Sequence, residues 1–426
     1  MPKQDSKADG LIPFIAGAPT AYHAAASVLD RLLREGFTKL SAGKRFMIEA
    51  GGRYVLPLGD GALIALALGD QALAESGLTI LAAHTDSPAL RLKERGTGWR
   101  KGYLTVPTEL YGGPIIATWI DRALGIAGRA VTRDGRSHLY RLPQRAVIPN
   151  LPIHLNRTAN ENLSYNAQTH LMAVIGTAAG EKDRTDPSLL ASVVADALGV
   201  AEDNLYEFEA LLFDPDDGVP AGRDGSLLVA PRIDNLAGCY ANLEAFLATP
   251  VSRPRLLVMF NHEEIGSLSG EGARAGAVEG FVRRIVSSLG GDGEDASVAL
   301  ARSLLVSNDA AHAFHPGYAD KFDADYAPAL GSGPVLKSDG MYRYATTAET
   351  GARFRSACED AGVPMQRYVT RSDIRAGSTV GPISWAVTGI PTVDVGVAIL
   401  AMHSIRETAS LDDVSSMIES LSSLVR

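Results

Sequence analysis

Apolar and polar positions alternate in two textures along the chain. Residues 21–37, AYHAAASVLDRLLREGF, carry apolar side chains at helical spacing and end near Gly36, which predicts an amphipathic helix. The stretch KRFMIEAGGRYVLPLGDGALIALALG has short apolar runs separated by glycines, the pattern of strands and tight turns. LTILAAH is continuously apolar, as a strand covered on both faces should be. From Lys93 to about Ser226 the texture changes. Strand-like pieces such as IIATWIDRALGIAGRAVTRDGRSHLYRL follow one another with many turns, and one helical stretch, PSLLASVVADALGV, lies among them. The alternation then returns. NLAGCYANLEAFLAT, EGFVRRIVSSLG and TAETGARFRSACEDAG read as helices, RLLVMF, SLLVSND and TVDVGVAIL as strands, and a last helix falls near 411–425. Alternating helices and apolar strands predict a layered α/β unit. Residues 1–93 and 227–426 supply that unit, and 94–226 form a β-rich insertion.

Composition narrows the class. Of 426 residues 46% are hydrophobic, enough for a large core, and 40 basic against 49 acidic residues leave a formal charge of −9. That balance argues against a nucleic-acid surface or a polybasic membrane patch. No apolar run is long enough for a transmembrane helix, and the polar start MPKQDSKADG lacks a signal-peptide core. Cys239 and Cys358 are the only cysteines, which excludes a disulfide framework and points to free thiols in a reducing cytoplasm.

The candidate chemistry sits where apolar runs stop, because open α/β sheets carry functional groups at the carboxyl ends of their strands. His84 follows LTILAA, Asp234 follows LLVAPRI, Glu263 and Glu264 follow RLLVMFN, Asp309 follows SLLVSN, and His403 follows VGVAILAM. Such a set of imidazoles and carboxylates suits two divalent cations, whether zinc, manganese or cobalt. A bridging carboxylate would hold the ions about 3.5–4 Å apart, with a water between them as nucleophile. In NHEEIGS, adjacent residues of an extended segment point in different directions, so Glu264 is expected to ligate and Glu263 to act as general base. Asp86, two residues beyond His84, is expected beside it on the same strand face, holding the second ring nitrogen. Asp234 could equally cap the helix that follows it. His312 and His315 lie past the strand end and are expected to play supporting or structural roles.

The motifs AAHTDSPALRLK, YGGPIIATWIDRALGIAGR, IPNLPIHLNR, PRIDNLAG, NHEEIGS, SNDAAHAFHP, GPVLK, AGSTVGPI and MHSIRE occur in the order found in the aspartyl aminopeptidase family of dinuclear zinc metallopeptidases, which the chain resembles from about residue 10 to its end. The resemblance implies a phosphorylase/hydrolase-like three-layer α/β catalytic domain interrupted by a β-rich dimerisation domain. It also implies a homo-oligomer, a dodecamer built from dimers. Carried over, His84 and Asp309 would bind one metal, Glu264 and His403 the other, and Asp234 would bridge, with Glu263 as base and Asp86 as the partner of His84. His154 would reach a neighbouring subunit's active site, and Lys337 would dock an acidic substrate side chain. Ala376 stands where relatives often carry Cys. The reaction implied is removal of an N-terminal Asp or Glu from short peptides. A broader neutral aminopeptidase or another two-metal amide hydrolase fits the ligand set as well, and a catalytically silent cage protein is the reading outside the enzymes.

Overall fold

The apolar run after residue 78 becomes the strand Thr79–His84, in the middle of a nine-stranded sheet. The computed structural model describes residues 7–426 except 70, 72 and 249. Arg255–Phe260 and Leu304–Asn308 flank the central strand, both parallel to it, and Thr392–Gly396 extends the parallel block beyond Leu304–Asn308. The antiparallel hairpin Arg53–Pro57 and Leu63–Ala67 pairs with Arg255–Phe260, and Thr38–Lys39 ends that side. Val335–Ser338 and Gln366–Val369 complete the other side.

Side chains of a strand alternate faces, and here both faces are covered. Leu81, Ala83, Leu257, Met259, Leu304 and Val306 share a core with the helices Ala21–Arg34, Ile233–Ala248 and Leu411–Leu424. Ile80, Ala82, Leu256, Val258, Phe260 and Leu305 share another with Ala277–Ser288 and Gly293–Arg302. This helix–sheet–helix layering explains why the central strands tolerate no polar alternation. Truncating one such Leu to Ala costs about 2–5 kcal/mol, so the strand positions are held firmly. The helix expected over 21–37 stops at Arg34, and TVDVGVAIL divides into Thr392–Gly396 and Ala398–Ile399. The division occurs where the Asp309 backbone crosses Gly396 so closely that a Cβ would overlap the Asp309 carbonyl.

The second sheet has eight strands, all antiparallel, drawn from Ala89–Leu92 through Leu205–Phe213. Ser188–Leu198, the helix expected within this region, packs Leu190 and Val194 into its core. No described helix is long and apolar enough to cross a membrane.

An ionic clamp joins the second sheet to the chain after His403. Asp214, just past Leu205–Phe213, is buried and accepts from Arg122 at 2.9 Å and from Arg406 at 2.7 Å. Removing the carboxylate strands two guanidinium groups that remain partly solvated, so the loss falls somewhat below the 3–5 kcal/mol of a fully buried pair. Asp214→Ala should lower stability by about 2–3 kcal/mol, read as an earlier urea midpoint. An unchanged midpoint would show that the clamp carries no stability.

Candidate metal centre

The parallel strands all finish at one edge, where a doubly covered sheet leaves backbone and side chains free to converge. His84 is the last residue of its strand and is 1% exposed. Asp309 directly follows Leu304–Asn308 and is also buried. Beyond Phe260, His262 adopts a left-handed φ of +64° and starts the single 3-10 turn Glu263–Ile265. Asp234 comes from the first residues of Ile233–Ala248, where it and Asn235 leave helical geometry. His403 comes from the loop between Ala398–Ile399 and Glu407–Ser410, with φ +67°. Non-glycine residues in this region cost conformational energy and persist only where the surroundings impose them.

These side chains form one cluster with Asp234 at its centre. His84 Nε2 lies 3.5 Å from Asp234 Oδ1 and 3.3 Å from Asp309 Oδ1. His403 Nε2 lies 3.6 Å from Asp234 Oδ2 and 3.3 Å from Glu264 Oε2. Each carboxylate oxygen of Asp234 thus faces a different imidazole–carboxylate pair. One potential ligand atom from each of His84, Asp234 and Glu264 falls within 4.8 Å of the others.

Two local expectations change. Asp86 lies beyond the strand end rather than beside His84 on it, and His84 Nδ1 approaches the Asp86 carbonyl at 3.0 Å, closer than the carboxylate at 3.4 Å. The Asp86 carboxylate also accepts the backbone amides of Glu263 and Glu264, each at 3.2 Å, and the Tyr111 hydroxyl at 2.7 Å. The two glutamates sit on a 3-10 turn, not an extended segment. With three residues per turn their side chains still diverge.

Crowding shapes the protonation equilibria. Burial pushes the Glu263 carboxyl up to about 8, against the pull of His84 and with the Asp309 and Asp86 charges adding to the rise. Burial and Asp234 raise Glu264 well above the carboxylate range. Burial opposes a charge on His84, but Asp309, Asp234 and Asp86 outweigh it and raise the imidazole. Asp234 moves the other way: burial opposes its charge, yet the adjacent His403 and His84 imidazoles hold it well below the usual range.

Sequence reasoning missed three supports. Glu407, fully buried, accepts the amide of Asp234 at 2.8 Å and the amide of His403 at 2.9 Å, tying those two elements together. Tyr111 binds Asp86, and the Gly113 carbonyl lies 3.2 Å from His403 Nδ1, which leaves Nε2 facing the cluster. Their only trace in the sequence is membership of the YGGP and MHSIRE stretches. Other expected residues lie elsewhere. His154 is on an exposed turn and, among the described residues, makes no hydrogen bond or ion pair with the cluster. Lys337 is 1% exposed, and its ammonium donates to the carbonyls of Asp309 at 2.9 Å and Ala310 at 3.2 Å. His312 packs against the Tyr368 ring and His315 against Tyr318, both outside the cluster. The Cys239 thiol donates to the His84 carbonyl at 3.0 Å and is buried, as is Cys358.

A family profile described as Aminopeptidase I zinc metalloprotease (M18) matches residues 14–424. The chain belongs to the M18 aminopeptidases. This M18 chain is 41% identical over 416 residues to a "Probable M18 family aminopeptidase 2" of Pseudomonas aeruginosa, covering 97% of this chain and 96% of the relative. A protein of the same name from Pseudomonas syringae pv. syringae is 40% identical over 418 residues, with 97% and 96% coverage. Among solved structures, the cryo-EM structure of the Ape4 and Nbr1 complex superposes with a TM-score of 0.93 at 32% identity, over 98% of this chain and 85% of that one. The S. cerevisiae mApe1 dodecamer gives a TM-score of 0.84 at 25% identity, over 98% and 95%.

Membership makes the protein a zinc metallopeptidase, and the cluster fits a cation on its own terms. Among the described residues, Asp234 Oδ1 and Glu264 Oε1 are buried with no hydrogen-bond donor. Orphaned carboxylate oxygens are costly unless a donor or cation meets them, and imidazole with carboxylate is a zinc donor set. Chelation should therefore abolish hydrolysis of an aminoacyl amide and lower the thermal midpoint, and added zinc should restore both. Full activity in chelator, with zinc absent by elemental analysis, would refute this.

Proposed function

We propose that this M18 aminopeptidase holds two divalent ions, zinc in the first instance, and removes an N-terminal Asp or Glu from short peptides. The observation that carries the dinuclear reading is the placement of Asp234, one oxygen toward His84 and Asp309, the other toward His403 and Glu264. His84 and Asp309 would hold one ion, Glu264 and His403 the second, and Asp234 would bridge. Two bound ions supply Lewis-acid polarisation of the scissile carbonyl and a more acidic water. Glu263 would serve as the base that accepts a proton from an attacking water and returns it to the departing amine. Its half-buried position, with its amide anchored on Asp86, suits a group that must switch protonation state without moving. Asp86 orients the turn bearing both glutamates as well as approaching His84.

The acidic preference is supported by a cleft of about 390 Å³ beside Met402, lined by His312, His315, Lys321 and Arg375. Lys337 would add its buried positive charge behind the Asp309 end of the site. His154 would act in a neighbouring subunit: it stands on an exposed segment between Leu151, Ile153 and Leu155, which present apolar surface to solvent. With the yeast relative a dodecamer, we infer a dodecamer built from dimers for this chain, with 94–226 as the dimerisation region inserted between catalytic segments 1–93 and 227–426. Two buried free thiols accord with a cytoplasmic location.

Glu263→Gln should keep zinc at wild-type stoichiometry and lose about 100- to 10,000-fold in kcat. A zinc-loaded variant with near-normal turnover would remove Glu263 from the role of base. For specificity, Asp and Asn aminoacyl amides differ only in charge. The wild type should favour Asp by about 10- to 150-fold in kcat/KM, the worth of a charge-assisted bond, and Lys337→Met should shrink that ratio. Equal losses on both substrates with release of zinc would instead make Lys337 a brace for the Asp309 loop. No acidic preference in the wild type would favour a broad aminopeptidase.

A further inference from the structure

The last residue of a strand of the second sheet and the two residues after it touch three parts of the metal centre. Tyr111 ends the strand Tyr103–Tyr111, and its hydroxyl donates to Asp86 Oδ2 at 2.7 Å. Gly112, at φ +70°, passes so close to the glutamate turn that a Cβ would stand 3.1 Å from Glu264 Cβ. The Gly113 carbonyl meets His403 Nδ1 at 3.2 Å, and the amide of Ile115 donates to the His403 carbonyl at 2.9 Å. We propose that Tyr111 is a positioning residue for the metal centre, acting through Asp86. This rests on the ligand assignment given above and adds a residue to which no role has been given.

The physical argument follows the bonds of Asp86. Its carboxylate is 3% exposed and meets the Glu263 amide, the Glu264 amide and the Tyr111 hydroxyl, with His84 Nδ1 alongside at 3.4 Å. The phenol contact is the shortest of these. Hydroxyl-to-carboxylate bonds are short and strong, and they fix the plane of the carboxylate. The two amides sit on one side of Asp86, on the turn that presents Glu264 to the cluster. The phenol comes from a different sheet. Without it, among the described residues, no group from the second sheet holds the Asp86 carboxylate, and the imidazole of His84 and the glutamate turn lose a shared reference. Groups that orient metal ligands in this way are worth about 10- to 100-fold in metal affinity.

Tyr111→Phe removes one oxygen and keeps the ring that leans against His262. The test uses full-length oligomer of confirmed size and compares wild type, Tyr111→Phe, Asp86→Asn and the double variant. Zinc dissociation constants come from competition with a chromophoric chelator, and kcat and KM from an aminoacyl amide. Tyr111→Phe should weaken zinc binding about 10- to 100-fold and lower kcat with KM little changed. The double variant should bind zinc no worse than Asp86→Asn alone, because groups acting in series are not additive. Zinc affinity unchanged in Tyr111→Phe, or additive losses in the double variant, would overturn the proposal. Asp234→Asn run alongside separates the two levels. If it too keeps wild-type zinc affinity, the ligand assignment falls and the role of Tyr111 falls with it. If it loses zinc while Tyr111→Phe does not, only the role of Tyr111 falls.

Discussion

The crowding of acid at one sheet edge is the constraint on which the rest of the structure turns. Asp234, Glu263, Glu264 and Asp309 converge on two imidazoles, His84 buried and His403 part-exposed. Two like charges about 4 Å apart repel by roughly 4 kcal/mol even at an effective dielectric near 20. Such a cluster does not hold itself together. It is held from behind by a sheet whose strands are apolar on both faces, and its unmatched oxygens call for a cation from within.

Bonds to the main chain distribute the strain of that crowding. Asp86 takes two amides from the glutamate turn, and Glu407 takes the amides of Asp234 and His403. Both are buried acids that use the backbone of other acids' elements as donors. Each therefore fixes where a neighbouring carboxylate or imidazole begins, and leaves its side chain free to face the centre. Burial drives the Glu407 carboxyl up to about 8, with Asp234 adding to the rise while the two amides pull it down. It is a hydrogen-bonding staple more than a charge.

Much of the site was legible because apolar runs that stop at a polar residue mark strand ends. His84, Glu263, Glu264 and Asp309 follow that rule, since their strands lie side by side and parallel. Asp234 and His403 were found by the same rule for a different reason. The run before Asp234 belongs to a small side sheet, Leu227–Ala230 against Glu407–Ser410, and His403 sits on a loop beyond a short strand. Tyr111, Gly113 and Glu407 left no periodic signal, for their contacts join residues as far apart as 113 and 403. The burial of Lys337 was also hidden, because a lysine between two glycine-rich turns reads as surface until the Asp309 carbonyl is seen above it. The layered fold was read from alternation. The helix Gly293–Arg302 was not, since only Ala296, Ala299 and Leu300 of it are buried.

The clustered side chains also enter the chain far apart, the first at His84 and the last at His403, only a few residues short of the final helix Leu411–Leu424. During synthesis, a growing chain therefore carries most of its acidic cluster for a long interval without the imidazole that completes it. A chain truncated before residue 403 would have the carboxylates but no second histidine to balance them. The cluster therefore closes only once residues far apart in the chain have folded together, which makes it a late contact in the life of the growing polypeptide.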